Sequence, residues 1–265
     1  LMKILVIGSD GQLGLEFQKI SNSYDSSSWI FSTIKTLDLL RLETISFFLN
    51  NINPSVIVNC AAYTNADKAE TEPKLANTIN YKAVDIISRW TSFNQKKLIH
   101  ISTDYVFDGL SKLPLSENSI TKPVNEYGSS KLKGEIACLK NDPNSIVIRT
   151  SWLYSSFGKN FVKTMIDLMK KNKSVKVVND QIGSPTYAHD LARLIIEIII
   201  NYKNESGLFH YSNDGEISWF DFARSIKELY NLDCEIIGVS SKEFKTLAKR
   251  PKYSLLNKSK IKTTF

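Results

Sequence analysis

Met2-Lys3-Ile4-Leu5-Val6-Ile7-Gly8-Ser9-Asp10-Gly11-Gln12-Leu13-Gly14 is the stretch that decides the fold. Its first half is a short apolar run stopped by a glycine, the pattern of a strand buried on both faces. Its second half is a glycine-rich turn, beyond which Leu15, Phe17 and Ile20 continue as a helix. Glycines placed between a first strand and a first helix let the backbone turn tightly and approach a pyrophosphate, whose charge the helix N-terminus favours. The spacing is Gly-x-x-Gly-x-x-Gly rather than the tighter Gly-x-Gly-x-x-Gly.

The same alternation repeats downstream. Residues 29–34 read as a second strand, and residues 42–51 hold helical spacing until Asn53-Pro54 breaks it. Val56-Ile57-Val58-Asn59 is a third buried strand. It runs into Cys60-Ala61-Ala62-Tyr63-Thr64, whose small residues let a flat ligand lie across the sheet edge. Glu72-Pro73 opens a long helix to about Asn94, with proline at a tolerated first-turn position. Residues 98–102 form a fourth strand and 145–150 a fifth. Five strand–helix alternations describe an α/β fold with a doubly wound, mostly parallel, Rossmann-like sheet.

Beyond Trp152 the pattern loosens. It offers helices over 160–169, 188–200 and 220–229, short strands over 175–178 and 208–211, and a polar loop over 179–186. Ser218 with Asp221 resembles a cap for the last of these helices. The expected organisation is a dinucleotide-binding core over 1–152 and a smaller α/β substrate-binding lobe over 153–265, partly interleaved with the core.

Of 265 residues, 42% are hydrophobic and 23% charged, ordinary for a globular chain. The longest apolar run, 194–200, is too short to span a membrane and carries Glu197. No leader pattern precedes the first strand. Cys60, Cys138 and Cys234 show neither metal nor redox spacing, so a cytoplasmic location is expected. The net charge of +7 comes from scattered lysines, not from an arm or stripe. Neither nucleic acid nor membrane is therefore an expected partner. A modest positive field suits an anionic small substrate such as a nucleotide-linked sugar. His100, His189 and His210 fall at strand or helix positions and read as core or rim residues, not ligands.

The candidate chemistry sits in Tyr127-Gly128-Ser129-Ser130-Lys131, where a phenol and an ammonium lie one turn apart on one helix face. A phenol with pKa near ~10 is a poor acid–base group at neutral pH. A neighbouring ammonium favours its ionised form. Tyr-x-x-x-Lys also arises by chance on solvated helices; its weight here comes from the glycine turn and from Thr103, a hydroxyl at the end of the fourth strand that can hydrogen-bond a reacting carbonyl. At the end of the second strand many such folds place a carboxylate for the adenosine ribose. Thr33 and Lys35 stand there instead, which admits the 2′-phosphate of NADPH, although Lys35 reads equally as a solvated loop residue. Asp38, in Leu37-Asp38-Leu39, would partner the adenine.

Together, residues 8–14, the Thr103/Tyr127/Lys131 set and the strand–helix alternation resemble the extended short-chain dehydrogenase/reductase superfamily. More narrowly, five motifs resemble the dTDP-4-dehydrorhamnose reductase family, in order from Met2 to about Leu256. They are Gly11-Gln12-Leu13-Gly14, Asp67-Lys68-Ala69-Glu70, Ser102-Thr103-Asp104-Tyr105-Val106-Phe107, Arg149-Thr150-Ser151-Trp152 and Asn179-Asp180-Gln181.

The resemblance implies an oxidoreductase that reduces the 4-keto group of dTDP-4-dehydro-L-rhamnose to dTDP-L-rhamnose, hydride coming from nicotinamide C4 and the proton from Tyr127. It implies Thr103, Tyr127 and Lys131 as catalytic residues, with Lys131 holding the nicotinamide ribose and lowering the tyrosine's pKa. On the cofactor side it places Gly8, Gly11, Gln12, Leu13, Asp38, Leu39, Ala62, Tyr63 and Thr64 together with Tyr127 and Lys131. On the substrate side it places Thr103, Asp104, Tyr105, Trp152 and Arg250, the last meeting nucleotide phosphates. The cofactor implied is NADPH, with NADH admissible. Family members often form homodimers, some with a magnesium ion at the interface, and no ligand cluster in this sequence demands one. Relatives carry another helix after residues 255–260, where this chain stops at Phe265, so a terminal helix is expected to be missing. Two alternatives stay open: a reductase of another nucleotide-linked 4-keto-6-deoxyhexose, and a non-catalytic NADP-binding regulatory subunit. Such subunits commonly lose the Tyr/Lys pair, which is intact here.

Overall fold

The computed structural model describes residues 2–24 and 27–265. Its first half runs β1 (Met2–Ile7), α1 (Gln12–Ser21), β2 (Ser27–Ser32), α2 (Leu42–Ile52), β3 (Val56–Asn59), α3 (Ala66–Thr71), α4 (Pro73–Asn77), α5 (Ala83–Phe93), β4 (Lys97–Thr103), α6 (Glu126–Asn141) and β5 (Ile146–Thr150). The second half adds β6 (Leu153–Tyr154), α7 (Phe161–Lys171), β7 (Ser174–Val178), β8 (Ile182–Gly183), β9 (Thr186–Tyr187) and α8 (Ala188–Asn201). It ends with β10 (Gly207–His210), β11 (Ile217–Ser218), α9 (Trp219–Leu229), β12 (Glu235–Val239) and α10 (Ser259–Thr264).

Six strands form one sheet in the order β10-β5-β4-β3-β1-β2, every neighbouring pair parallel. The apolar run of β1 is continuous because both faces are covered. Ile4 and Val6 join the core made with α1 and α8, while Leu5 and Ile7 join the core made with α2 and α5. The strand order reverses between β1 and β3, and that switch point is where an open α/β sheet leaves a crevice at its carboxyl edge. The sheet thus draws its β5-side edge strand, β10, from the second half of the chain.

Four details depart from the sequence reading. The second strand ends at Ser32, and Thr33–Thr36 form a turn in which Thr33 Oγ1 accepts from the Lys35 amide at 3.2 Å. The helix expected from 73 to 94 is α4 and α5 joined by a π-turn over Thr78–Lys82, one residue out of step with an α-helix. A terminal helix does exist, α10, with Ile261 buried and the Phe265 ring against Tyr202 and Phe209. Finally, β7 has a parallel partner, β12, in a two-stranded unit that the expectation lacked.

Candidate active site

Gly8 opens the site. Its φ of +77° is open to glycine at no steric cost, and a Cβ there would lie 2.7 Å from Ala61 Cα. The turn is fastened by the Gly8 and Ser9 amides, which donate to Ser32 O at 2.9 and 3.0 Å. Gly11 is the N-cap of α1 and offers no side chain to its amides, and no acidic residue occupies the first turn. The amides of that turn therefore face the crevice in the arrangement that suits an anion.

The second contributor is α6. Asn125 caps it, accepting from the Gly128 amide at 2.7 Å and donating to Lys249 O at 2.7 Å. A Cβ on Gly128 would lie 2.1 Å from Tyr105 O, so the helix start rests directly on the turn that follows β4. This brings Tyr127 beside Thr103, whose hydroxyl acts to lower the phenol's pKa. Thr103 Oγ1 also donates to Asp104 Oδ1 at 3.1 Å, and the Tyr105 and Tyr127 rings meet edge to face at 5.4 Å. Lys131, one turn on, is 2% exposed and donates to Ile101 O at 2.5 Å. Further along, a Cβ on Gly134 would lie 1.9 Å from Asn80 O. Asn80 sits on the π-turn and holds the Tyr63 backbone by both its groups, at 2.8 and 3.0 Å, and Ser130 Oγ at 3.0 Å. The π-turn thus carries a buried clamp between the β3 loop and the Tyr127 helix.

Burial dominates the electrostatics. It pushes Tyr127 up to about 12, with the Thr103 hydroxyl acting more weakly in the other direction, and pulls Lys131 down to about 8. Lys131 is not among the groups that shift the Tyr127 phenol here: desolvation leads, and it holds the phenol protonated. Asp104, fully enclosed, is pushed up to about 6 by burial, and its Oδ2 has no partner among the described residues. Burial likewise raises the Cys60 thiol.

These groups line one cleft of about 990 Å³. Gly8, Gly11, Gln12, Leu13, Asp38, Leu39, Ala62 and Thr64 line it, as do Thr103, Asp104, Tyr105, Tyr127, Lys131, Trp152 and Arg250. Tyr63 does not: its phenol donates to Glu72 instead, and that hydrogen bond lifts it to about 12. Thr33 and Lys35 are also outside the lining, while Ile34 is part of it. Arg250 is held by Asp67 at 2.8 Å, and Ala248 N donates to the other oxygen of the same carboxylate at 2.9 Å. Trp219 is a wall residue that the sequence reading missed; its indole stacks on Trp152 at 3.7 Å and 11°. The capping box of Ser218 and Asp221 that begins α9 was its one sequence signal, and it marks the helix start, not the contact.

The histidines are structural. His210 Nδ1 donates to Leu115 O at 3.0 Å, and its Nε2 accepts from Arg149, which pairs with Glu135. His189 meets Glu16 at 3.2 Å. His100 Nδ1 meets Asn59 at 3.2 Å, while its Nε2 has no partner among the described residues. Also among the described residues, no group of three or more His, Cys, Asp or Glu is placed to hold a metal ion.

The sequence pattern described as the RmlD substrate binding domain matches residues 2–265. The chain belongs to that family. Among its RmlD-family relatives, the dTDP-4-dehydrorhamnose reductase of Aggregatibacter actinomycetemcomitans is 35% identical, over 100% of this chain and 94% of that protein. The crystal structure of a dTDP-4-dehydrorhamnose reductase from Clostridium acetobutylicum superposes with a TM-score of 0.95 at 40% identity, over 99% of this chain and 92% of that one. That of the Bacillus anthracis dTDP-4-dehydrorhamnose reductase in complex with NADP gives 0.93 at 37% identity, over 99% and 92%.

Proposed function

We propose that this RmlD-family chain reduces the 4-keto group of dTDP-4-dehydro-L-rhamnose, giving dTDP-L-rhamnose, with NADPH as reductant. The observation that carries the reading is the convergence of Thr103, Tyr127 and Lys131 in the same cleft as the glycine turn. That cleft suits a dinucleotide: Gly8 and Ala61 leave no room between backbones for a side chain, and the α1 amides are uncapped. When bound, the reduced nicotinamide supplies the hydride.

Each residue then has one task. Thr103 and Tyr127 donate to the ketone oxygen as negative charge develops on it. Tyr127, kept protonated by burial, gives its proton to the new alkoxide, so one hydride and one proton balance the ketone-to-alcohol reduction. Lys131 holds the nicotinamide ribose, and its ammonium stabilises the phenolate left behind. Gly8, Gly11, Gln12 and Leu13 receive the pyrophosphate, Asp38 and Leu39 the adenosine, and Ala62 and Thr64 the face of the dinucleotide. Asp104, Tyr105 and Trp152 hold the sugar, and Arg250 meets its phosphates.

NADPH is preferred over NADH because no carboxylate ends β2, and the Bacillus anthracis relative binds NADP. Lys35, which lies outside the cleft lining, does not enter this preference. We further propose a division into a core over 1–152 and a substrate lobe over 153–265, with β10 returning to the core sheet. A cytoplasmic homodimer completes the reading, and sedimentation of the purified chain checks the dimer. The main test is NADPH and NADH oxidation with dTDP-4-dehydro-L-rhamnose and with other dTDP-4-keto-6-deoxyhexoses. Rapid turnover of the first sugar with NADPH is expected. Tight dinucleotide binding with no oxidation across the sugars would make the chain a regulatory subunit instead.

A further inference from the structure

Residues 155–160, between β6 and α7, form a strap that is tied to α1 at both ends. Ser155 Oγ donates to Glu16 Oε1 at 2.6 Å, and Glu16 is completely buried one turn along α1 from Gln12. At the other end Asn160 Nδ2 donates to Gln12 Oε1 at 3.0 Å and to Ser155 O at 2.7 Å, while Asn160 Oδ1 caps α7 by accepting from Lys163 N at 3.1 Å. Between them Gly158, at φ +63°, rests on Gln12 so closely that a Cβ would lie 2.9 Å from Gln12 Cγ. The strap is therefore registered on the residue that follows Gly11 in the glycine turn.

This registration puts Lys159 in the cleft lining beside the uncapped start of α1. Among the described residues the Lys159 ammonium has no hydrogen-bond or ion-pair partner, whereas Arg250, the other guanidinium or ammonium on the outer wall of the cleft, is paired with Asp67. A cation that nothing neutralises, held against helix amides that nothing caps, is the arrangement that receives a diphosphate.

We propose that Lys159 is a ligand for the pyrophosphate of the bound dinucleotide, supplied to the glycine turn by the second half of the chain. The proposal rests on the dinucleotide reading of that turn and adds a residue to it. The pyrophosphate is favoured over the 2′-phosphate because the strap is pinned to Gln12, the first residue of α1, directly beside the uncapped amides of the glycine turn.

Quenching of tryptophan fluorescence reports binding directly, since Trp152 and Trp219 both line the cleft. Full-length wild type, Lys159→Gln and Lys159→Arg are titrated with NADPH and with NADH. The expected result is that Lys159→Gln weakens both by about tenfold, to the same extent, while Lys159→Arg stays within about threefold of wild type. Unchanged affinities in Lys159→Gln overturn the proposal. So does a loss confined to NADPH, which would move the contact to the 2′-phosphate, or a rise confined to KM for the sugar nucleotide. A wild-type chain that binds NADPH but leaves every 4-keto sugar unreduced overturns the proposed reaction alone, and the same titrations still decide the role of Lys159. A wild-type chain that binds neither dinucleotide overturns both.

Discussion

Two walls of the cleft, residues 8–14 and the Trp152/Trp219 pair, achieve close fit by opposite means. The first is backbone on backbone. A Cβ on Gly14 would lie 2.4 Å from Ser9 Cα, and one on Gly8 would collide with Ala61. The second is side chain on side chain: stacked indoles backed by Phe161 at 4.5 Å from Trp219, with Gly183 leaving space for the Trp152 ring. Trp152 itself holds φ at +49°, a conformation bulky residues seldom adopt. A wall made of backbone cannot be altered one side chain at a time, which suits a ligand whose shape never varies. A wall made of aromatic side chains can be retuned by single substitutions, which suits a substrate pocket.

The sharpest break between the walls is the chemistry that lies between them. Tyr127→Phe is expected to lower kcat about a thousandfold while leaving the dinucleotide Kd unchanged; stopped-flow turnover and fluorescence titration measure the two separately. Full turnover in this variant would remove Tyr127 from the mechanism.

On the backbone wall, Gly14→Ala should cost about 3 kcal/mol of stability, because the atoms it meets are main chain and cannot yield. Urea denaturation checks this, and a loss below about 1 kcal/mol would mean that the turn is more pliant than its geometry states. On the aromatic wall, Trp219→Ala should raise KM for the sugar nucleotide about tenfold with little change in dinucleotide affinity. Equal damage to both ligands would collapse the comparison.

The smallest effect is in pH. Burial pulls Lys131 down to about 8 from an ordinary 10.5, so between those values the folded chain binds fewer protons than the unfolded one. In that window this residue's contribution to stability rises with pH, as the cost of burying an ammonium is relieved. On the role proposed for Lys131, dinucleotide affinity moves the other way, because the ammonium assigned to the ribose is lost. The NADPH Kd is therefore expected to be flat below pH about 8 and to rise above it, with the rise absent in Lys131→Met.

What the sequence disclosed follows the same division. The sheet was legible because strands covered on both faces leave unbroken apolar runs such as residues 4–7, and Thr103, Tyr127 and Lys131 were legible because strand-end position and helical spacing are local properties. Contacts between distant segments left no such trace. Trp152 and Trp219 are 67 positions apart, and nothing near either names the other. The π-turn was hidden because one added residue barely disturbs the apolar spacing of a long helix, yet it sets Asn80 against Tyr63. The direction of the Tyr63 side chain was hidden because it is decided by Glu72, nine residues on. The burial of the Tyr127 phenol was hidden because sequence reveals the neighbouring ammonium but not the loss of water around the ring. Residues 259–264 were unreadable as a helix because they present just one buried apolar side chain, Ile261.

The placement of β10 beside β5 has an evolutionary consequence. Because Gly207–His210 complete the ladder of Ile146–Thr150, the C-terminal half cannot be replaced near position 152 by a domain that brings no such returning strand. Such a chimera would leave bare amides and carbonyls along β5, a template for any passing chain and hence for aggregation. Diversification of this scaffold is thereby channelled into point changes and loop grafts that leave the returning strand in place.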